Sequence, residues 1–135
     1  MAVGVYLRFR GNCREAVQFY AQAFGVDDVT MSAYGDMPDA KADEATRDLI
    51  MHAEIKAMGS ALMCADVPPG MDVSIGTNAG VIVTSGDERA LRRLFSQLSV
   101  GGEVLMPIQE TFWSACYGWV TDKYGVQWQV SLTDK

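Results

Sequence analysis

Tyr117-Gly118-Trp119-Val120-Thr121-Asp122-Lys123-Tyr124-Gly125-Val126-Gln127-Trp128-Gln129-Val130 is two aromatic-rich runs joined by the polar turn Asp122 to Gly125, where glycine supplies the positive φ that such turns need. The stretch reads as a β-hairpin lining a cavity. Val126, Trp128, Val130 and Leu132 share one face and are expected in the core, whereas Gln127 and Gln129 leave the opposite face.

The hairpin closes the second of two modules that share one layout. Val3, Val5, Leu7 and Phe9 alternate with Gly4, Tyr6, Arg8 and Arg10, the period of a strand with one apolar face. A helix follows, with Asn12 as the expected cap and Glu15 completing a capping box. Ala16, Val17, Phe19, Tyr20, Ala23 and Phe24 recur at helical spacing until Gly25. A short strand around 29–34, a polar connection over 35–48, and strands at 49–57 and 61–65 turned by Met58-Gly59-Ser60 complete a first module over 1–66. The paired prolines of Val67-Pro68-Pro69-Gly70-Met71-Asp72 break regular structure and place a linker at 67–78. In 79–135, Val81-Ile82-Val83 is a strand, Ser85 with Glu88 offers a second capping box, and Leu91, Leu94, Phe95 and Leu98 mark a helix ended by Gly101-Gly102. Strands at 103–106, 117–121 and 126–132 follow. Each half is β-α-β-β-β, so the fold class is α+β: two modules forming a curved mixed sheet. One helix covers only one face of a four-stranded sheet, and two such modules side by side are expected to enclose a concave cleft.

Composition narrows the function. At 135 residues the chain is one domain or a tight pair of half-domains. Its 49% hydrophobic and 21% charged content is that of a globular protein, with no apolar run near the ~20 residues of a membrane span. The N-terminus lacks a secretory signal pattern, and a cytoplasmic protein is expected. Cys13, Cys64 and Cys116 are odd in number, widely spaced and without Cys-x-x-Cys, so free thiols are expected rather than a disulfide framework or a zinc knuckle. A net charge of −6 with no basic stripe argues against nucleic acid as a partner.

Tyr6 through Ala16, the Tyr20 to Gly25 helix end, Tyr34-Gly35-Asp36-Met37-Pro38, Met51-His52-Ala53-Glu54-Ile55 and Thr111-Phe112-Trp113 through Val130 together resemble the PhnB-like branch of the vicinal oxygen chelate superfamily. That superfamily includes glyoxalase I, bleomycin-resistance proteins and extradiol dioxygenases. The resemblance spans nearly the whole chain and implies the vicinal oxygen chelate fold and a homodimer. It also implies a divalent metal held by four His, Glu or Gln side chains. The matching positions lie near Tyr6 or Arg8, Met63, Gly80 and Gln129, of which Gln129 alone is a plausible ligand, so the usual ligand set is not preserved and no cofactor is assigned. Methyltransferase labels occur in this branch, yet no glycine-rich loop after the first strand suits a nucleotide-type cofactor.

Several side chains carry candidate chemistry. His52, the only histidine, sits at strand spacing with Glu54, so both leave one face. Met51, Ala53, Ile55 and Ala57 suit the helix side, with Ile50 and Lys56 beside His52 and Glu54. The pair is the candidate catalytic acid and base; a solvated or interface histidine beside an acid fits the spacing equally. Tyr6 and Arg8, with Gln127 and Gln129, are expected to line a polar cavity, Arg8 gripping an anionic ligand; a surface arginine on an edge strand is the alternative. Trp113 lies in a loop with no periodic reason for burial and is placed to close over a ligand. Asp36 reads as a turn residue, and no base is assigned to Cys64 or Cys116. The readings carried forward are a small-molecule binder for an anionic or aromatic ligand, reaction unassigned; a metal-dependent lyase, isomerase or dioxygenase using His52 and Glu54; a ligand-sequestering, drug-resistance-type protein; and concave faces serving dimer assembly.

Overall fold

The computed structural model describes residues 1–37 and 43–133. It divides into two units, Met1–Ser74 and Ile75–Lys135, the boundary following the paired prolines Pro68 and Pro69.

The first unit runs β1 (Val5–Phe9), α1 (Cys13–Phe24), β2 (Val29–Ala33), a 3-10 turn (Tyr34–Asp36), α2 (Glu44–Arg47), β3 (Ile50–Ala57) and β4 (Ser60–Asp66). The second runs β5 (Val81–Ser85), α3 (Glu88–Leu98), β6 (Glu103–Gln109), β7 (Tyr117–Thr121) and β8 (Gln127–Leu132). Each builds a four-stranded sheet, ordered β1-β4-β3-β2 and β5-β8-β7-β6. The first and last strands of each unit pair in parallel, as a crossover through the helix requires, and the remaining pairs are antiparallel. Even the register repeats. Tyr6 and Glu54 both stand opposite Met63, and Ile82 and Trp119 both stand opposite Gln129.

Burial follows the helical and strand periods. Cys13, Ala16, Val17, Tyr20 and Ala23 bury one stripe of α1, and Phe9, Ala53, Ile55, Leu62 and Cys64 supply buried side chains from the first sheet. In the second unit Leu91, Leu94, Phe95 and Leu98 of α3 are buried, as are Val83, Val120, Trp128 and Val130. Gly118 lets α3 approach closely, since a Cβ there would sit 2.7 Å from Phe95 Cε2 and 2.9 Å from Ile108 Cγ1. The β3–β4 hairpin turns on Met58 and Gly59 at φ 53° and 74°, the left-handed pair that matches strand twist.

Four local expectations are corrected. Asn12 makes no side-chain cap. Instead Asp66, at the end of β4, accepts from Gly11 N at 2.8 Å and Cys13 N at 3.0 Å through Oδ1, and from Ile50 N at 2.9 Å through Oδ2. A buried carboxylate from 53 residues away in the chain does what a local cap was expected to do. Likewise Asp87 rather than Ser85 caps α3, accepting from Ala90 N, while Glu88 bonds Arg92 at 2.9 Å. Ile50 is buried and Met51 only half-buried, because the β2–β3 register shifts between Ser32 and Ala33 and breaks the alternation where β3 begins. Finally, β6 continues through Pro107 to Gln109, which the edge position permits because proline's missing donor costs no ladder bond there. The polar connection holds the 3-10 turn and α2, Asp36 accepting from Ala33 N as the turn reading expects. Pro38 and the middle of that connection lie outside the described residues.

Candidate functional site

On the first sheet the period of two sends Tyr6 and Arg8 of β1, Met63 and Ala65 of β4, His52 and Glu54 of β3, and Thr30 and Ser32 of β2 to the face opposite the α1-facing core. They form two cross-strand rows. Tyr6, Met63, Glu54 and Thr30 stand in register in one row. Two residues further along β1 and β4, and two back along antiparallel β3, the pairs Arg8 with Ala65 and Ser32 with His52 make the next.

The hydroxyl of Tyr6 bridges the rows. Its Oη lies 3.1 Å from His52 Nδ1, with ring centroids 5.7 Å apart. β1 and β3 are separated by β4, about 9–10 Å at ordinary strand spacing, so only a long side chain closes that distance. At the β4 position between Arg8 and His52 stands Ala65, whose methyl leaves the path clear. Arg8 holds its guanidinium carbon 5.1 Å from the Tyr6 ring centroid. Burial pushes the Tyr6 phenol above its ordinary range, with Arg8 pulling the other way. Histidine's partner is therefore tyrosine rather than Glu54, which is half-buried and makes no hydrogen bond or ion pair among the described residues. His52, Glu54, Tyr6 and Arg8 are brought together on one face.

The corresponding face of the second sheet carries Ile82, Gln129, Trp119 and Met106 in one row, and Thr84, Ser131, Tyr117 and Gln109 in the next. Tyr117 Oη donates to Gln129 Oε1 at 2.5 Å, and burial pushes that phenol up too. The Trp113 ring meets Tyr117 edge-on at 5.2 Å, and Phe112 meets Trp113 edge-on at 4.7 Å. Trp113 is 54% exposed and Phe112 97% exposed, so the loop holds its rings outward. Gln127 is engaged by its neighbour, donating to Thr121 Oγ1 at 3.4 Å. Gln129, Gln127 and Trp113 thus belong to the second unit, and Tyr6, Arg8, His52 and Glu54 to the first. The two tyrosines that organise these faces were not singled out as partners in the sequence, because cross-strand pairing is invisible to the pattern of any one strand.

The positions implied by the resemblance do not carry the usual four ligands. There stand Tyr6 or Arg8 with Met63 in the first unit, and Gly80, one residue before β5, with Gln129 in the second. A thioether and a glycine offer no hard oxygen or imidazole side-chain donor. Among the described residues no three His, Cys, Asp or Glu side chains cluster to hold an ion. Cys13, Cys64 and Cys116 are free and buried. A hydrogen bond with Cys64, followed by burial, pushes the Cys13 thiol far up, and burial raises Cys116, so neither is a ready nucleophile. A surface depression of about 480 Å³ at the β3–β4 turn, lined by Val26, Lys56, Met58 and Ser60 among others, includes none of the candidate residues. No helix among the described residues is long and apolar enough to cross a membrane.

The chain is similar to several known proteins. The profile of a family described as 3-demethylubiquinone-9 3-methyltransferase matches residues 2–131. Protein YjdN of Escherichia coli K12 is 30% identical over 141 residues, covering 98% of this chain and 95% of its own. A crystal structure of PA1353 from Pseudomonas aeruginosa superposes with a TM-score of 0.88 at 34% identity, over 100% of this chain and 99% of the other. A Bacillus cereus PhnB protein, a putative 3-demethylubiquinone-9 3-methyltransferase, superposes at 0.73 with 28% identity over 98% and 100%. At the level of fold alone, the manganese-bound fosfomycin resistance protein FosX of Listeria monocytogenes matches at 0.65 with 9% identity, over 99% and 92%.

Proposed function

Because the chain belongs to this PhnB-like family, within the vicinal oxygen chelate superfamily, we propose that it binds a small molecule bearing an oxyanion on the β1–β4–β3–β2 face of its first unit. The observation that carries this reading is the 3.1 Å contact between Tyr6 Oη and His52 Nδ1 beside the Arg8 guanidinium. Arg8 supplies a fixed positive charge with several donors, and the imidazole lies two strands away on the same face. A carboxylate or phosphate oxygen is the group such an arrangement recognises. Glu54 on the next row limits where the anion can sit, since like charges repel at short range.

Methyl transfer is not part of this proposal. The β1–α1 turn, where a nucleotide-type cofactor would need free backbone donors, has its Gly11 and Cys13 amides already bound to Asp66. Free thiols suit a reducing cytoplasm, and the Val104 and Leu105 side chains exposed on edge strand β6 suit pairing with a second copy.

A catalytic reading is favoured by one observation, the Glu54 carboxylate, which lies in the row beside His52 and makes no hydrogen bond or ion pair among the described residues. In that reading Glu54 takes a proton from the ligand while His52 and Arg8 stabilise the charge that develops.

Thermal shift with a panel of small carboxylates and inorganic phosphate tests the proposal, run on the wild type, Arg8→Ala, His52→Ala and Glu54→Ala, with and without chelator. Saturable stabilisation of the wild type that weakens at least tenfold in Arg8→Ala supports it. Equal response in wild type and Arg8→Ala, or none in either, rejects it. A response that needs a divalent ion and disappears with chelator would instead restore the metal-dependent reading.

A further inference from the structure

From the same contact we infer that Tyr6 is a positioning residue that holds neutral His52 with its proton on Nε2, so that the imidazole meets a ligand as a hydrogen-bond donor. With both groups neutral, the 3.1 Å contact admits two arrangements: phenol O–H donating to the Nδ1 lone pair, or Nδ1–H donating to the phenol oxygen. They are unequal. A phenol is a much stronger acid than a neutral imidazole N–H, and an imidazole lone pair is a much stronger base than a phenol oxygen. The better donor thus meets the better acceptor only in the first arrangement, which leaves the ring's single proton on Nε2.

Three further observations agree. Burial keeps the Tyr6 phenol protonated beyond its ordinary range, so the donor persists into the alkaline region. The Arg8 cation over the ring draws electron density from it, which strengthens the O–H as a donor. The other polar or charged groups on this face are Glu54 and Lys56 of β3 and Thr30 and Ser32 of β2, and none of them hydrogen-bonds the imidazole among the described residues. Tyr6 alone therefore selects the tautomer.

The consequence for chemistry is a division of roles. An Nε2–H cannot accept a proton from a ligand, so any base on this face is Glu54, and His52 serves a ligand oxygen as donor. Only this last step rests on the proposed ligand-binding role; the tautomer itself does not.

Since His52 is the only histidine, long-range proton–nitrogen correlation on the uniformly labelled whole chain reads its two ring nitrogens without ambiguity. The spectrum is taken at about pH 8.5, two units above the reference histidine value. The expected wild-type result is an unprotonated Nδ1 and a protonated Nε2, in one tautomer. In Tyr6→Phe the populations relax toward the mixture of free imidazole, whereas Arg8→Leu, which keeps the hydroxyl, retains the wild-type tautomer. A proton on Nδ1 in the wild type overturns the inference, as do equal populations in wild type and Tyr6→Phe. Should Tyr6→Phe fail to fold, a wild-type proton on Nδ1 still overturns the inference. No ligand is present, so this result stands or falls separately from anion binding: loss of the anion response with the Nε2 proton intact rejects the proposed function alone.

Discussion

The indole nitrogen of Trp128 donates to Oδ2 of Asp122 at 2.9 Å, tying the most voluminous fully buried side chain of the protein to the turn six residues before it. The same carboxylate accepts through Oδ1 from Tyr124 N at 2.8 Å and Val126 N at 3.1 Å. One buried aspartate thus shapes the β7–β8 turn and satisfies the only polar atom of the indole. Asp122→Ala removes the buried acceptor that these three donors share and should cost about 3 kcal/mol or more. Asp122→Asn keeps an acceptor oxygen and should cost less. Urea unfolding of both variants checks the order; an alanine variant as stable as the wild type would remove the carboxylate from this role.

Gly118 makes a steric prediction. Because its missing Cβ would fall 2.7 Å from Phe95 Cε2 and 2.9 Å from Ile108 Cγ1, Gly118→Ala should destabilise by about 1–3 kcal/mol through overpacking. Shortening the helix side chain should relieve the clash. The double variant Gly118→Ala with Phe95→Leu is expected to lose less than the sum of the two single losses, a coupling that a double-mutant cycle measures directly.

The thiols should be silent in the folded state. Cys13, Cys64 and Cys116 are each 0% exposed, and the Cys13 and Cys116 thiols are held above their ordinary range. Reaction with a small aromatic disulfide at about pH 8 should label none of them within the time that exposed cysteine reacts, and all three after denaturation. Rapid labelling of native protein would contradict this burial.

The raised groups also set an alkaline limit. For Cys13, Cys116, Tyr6 and Tyr117 the folded-state pKa lies above the unfolded one. The unfolded chain therefore releases its protons first, and their contribution, fully present below the unfolded values, is lost as pH rises toward the folded ones. On account of these groups the melting temperature should fall from about pH 8.5 for the thiols and about pH 10 for the phenols. Tyr6→Phe and Tyr117→Phe should flatten the upper part of that decline, and an unchanged slope in both would show that the phenols do not contribute.

Much of the fold was legible in local pattern. The alternation of Val5, Leu7 and Phe9, the helical spacing of Ala16, Val17 and Tyr20, and the stop at Gly25, in the left-handed region at φ 69°, reflect forces acting within one element. The helix starts were read less well. Asn12 looks like a cap because capping is judged from nearby residues, whereas Asp66 takes the work from the far end of β4 once folding brings it there. The candidate site divides in the same way. That His52 and Glu54 leave one face followed from their spacing, but Tyr6 as the partner of His52 required the strand order that sets β1 and β3 on either side of β4.

The amino-acid sequence by itself determined the elements, their apolar faces, the doubled β-α-β-β-β layout and the resemblance to one superfamily, because period and turn chemistry are properties of neighbours in the chain. Only the tertiary structure decided which polar groups meet: Tyr6 with His52, Tyr117 with Gln129, Asp66 with the start of α1. Such contacts depend on strand order and register. Those are settled by burying all the apolar faces of a sheet together, a condition on the whole unit that no single stretch of sequence expresses.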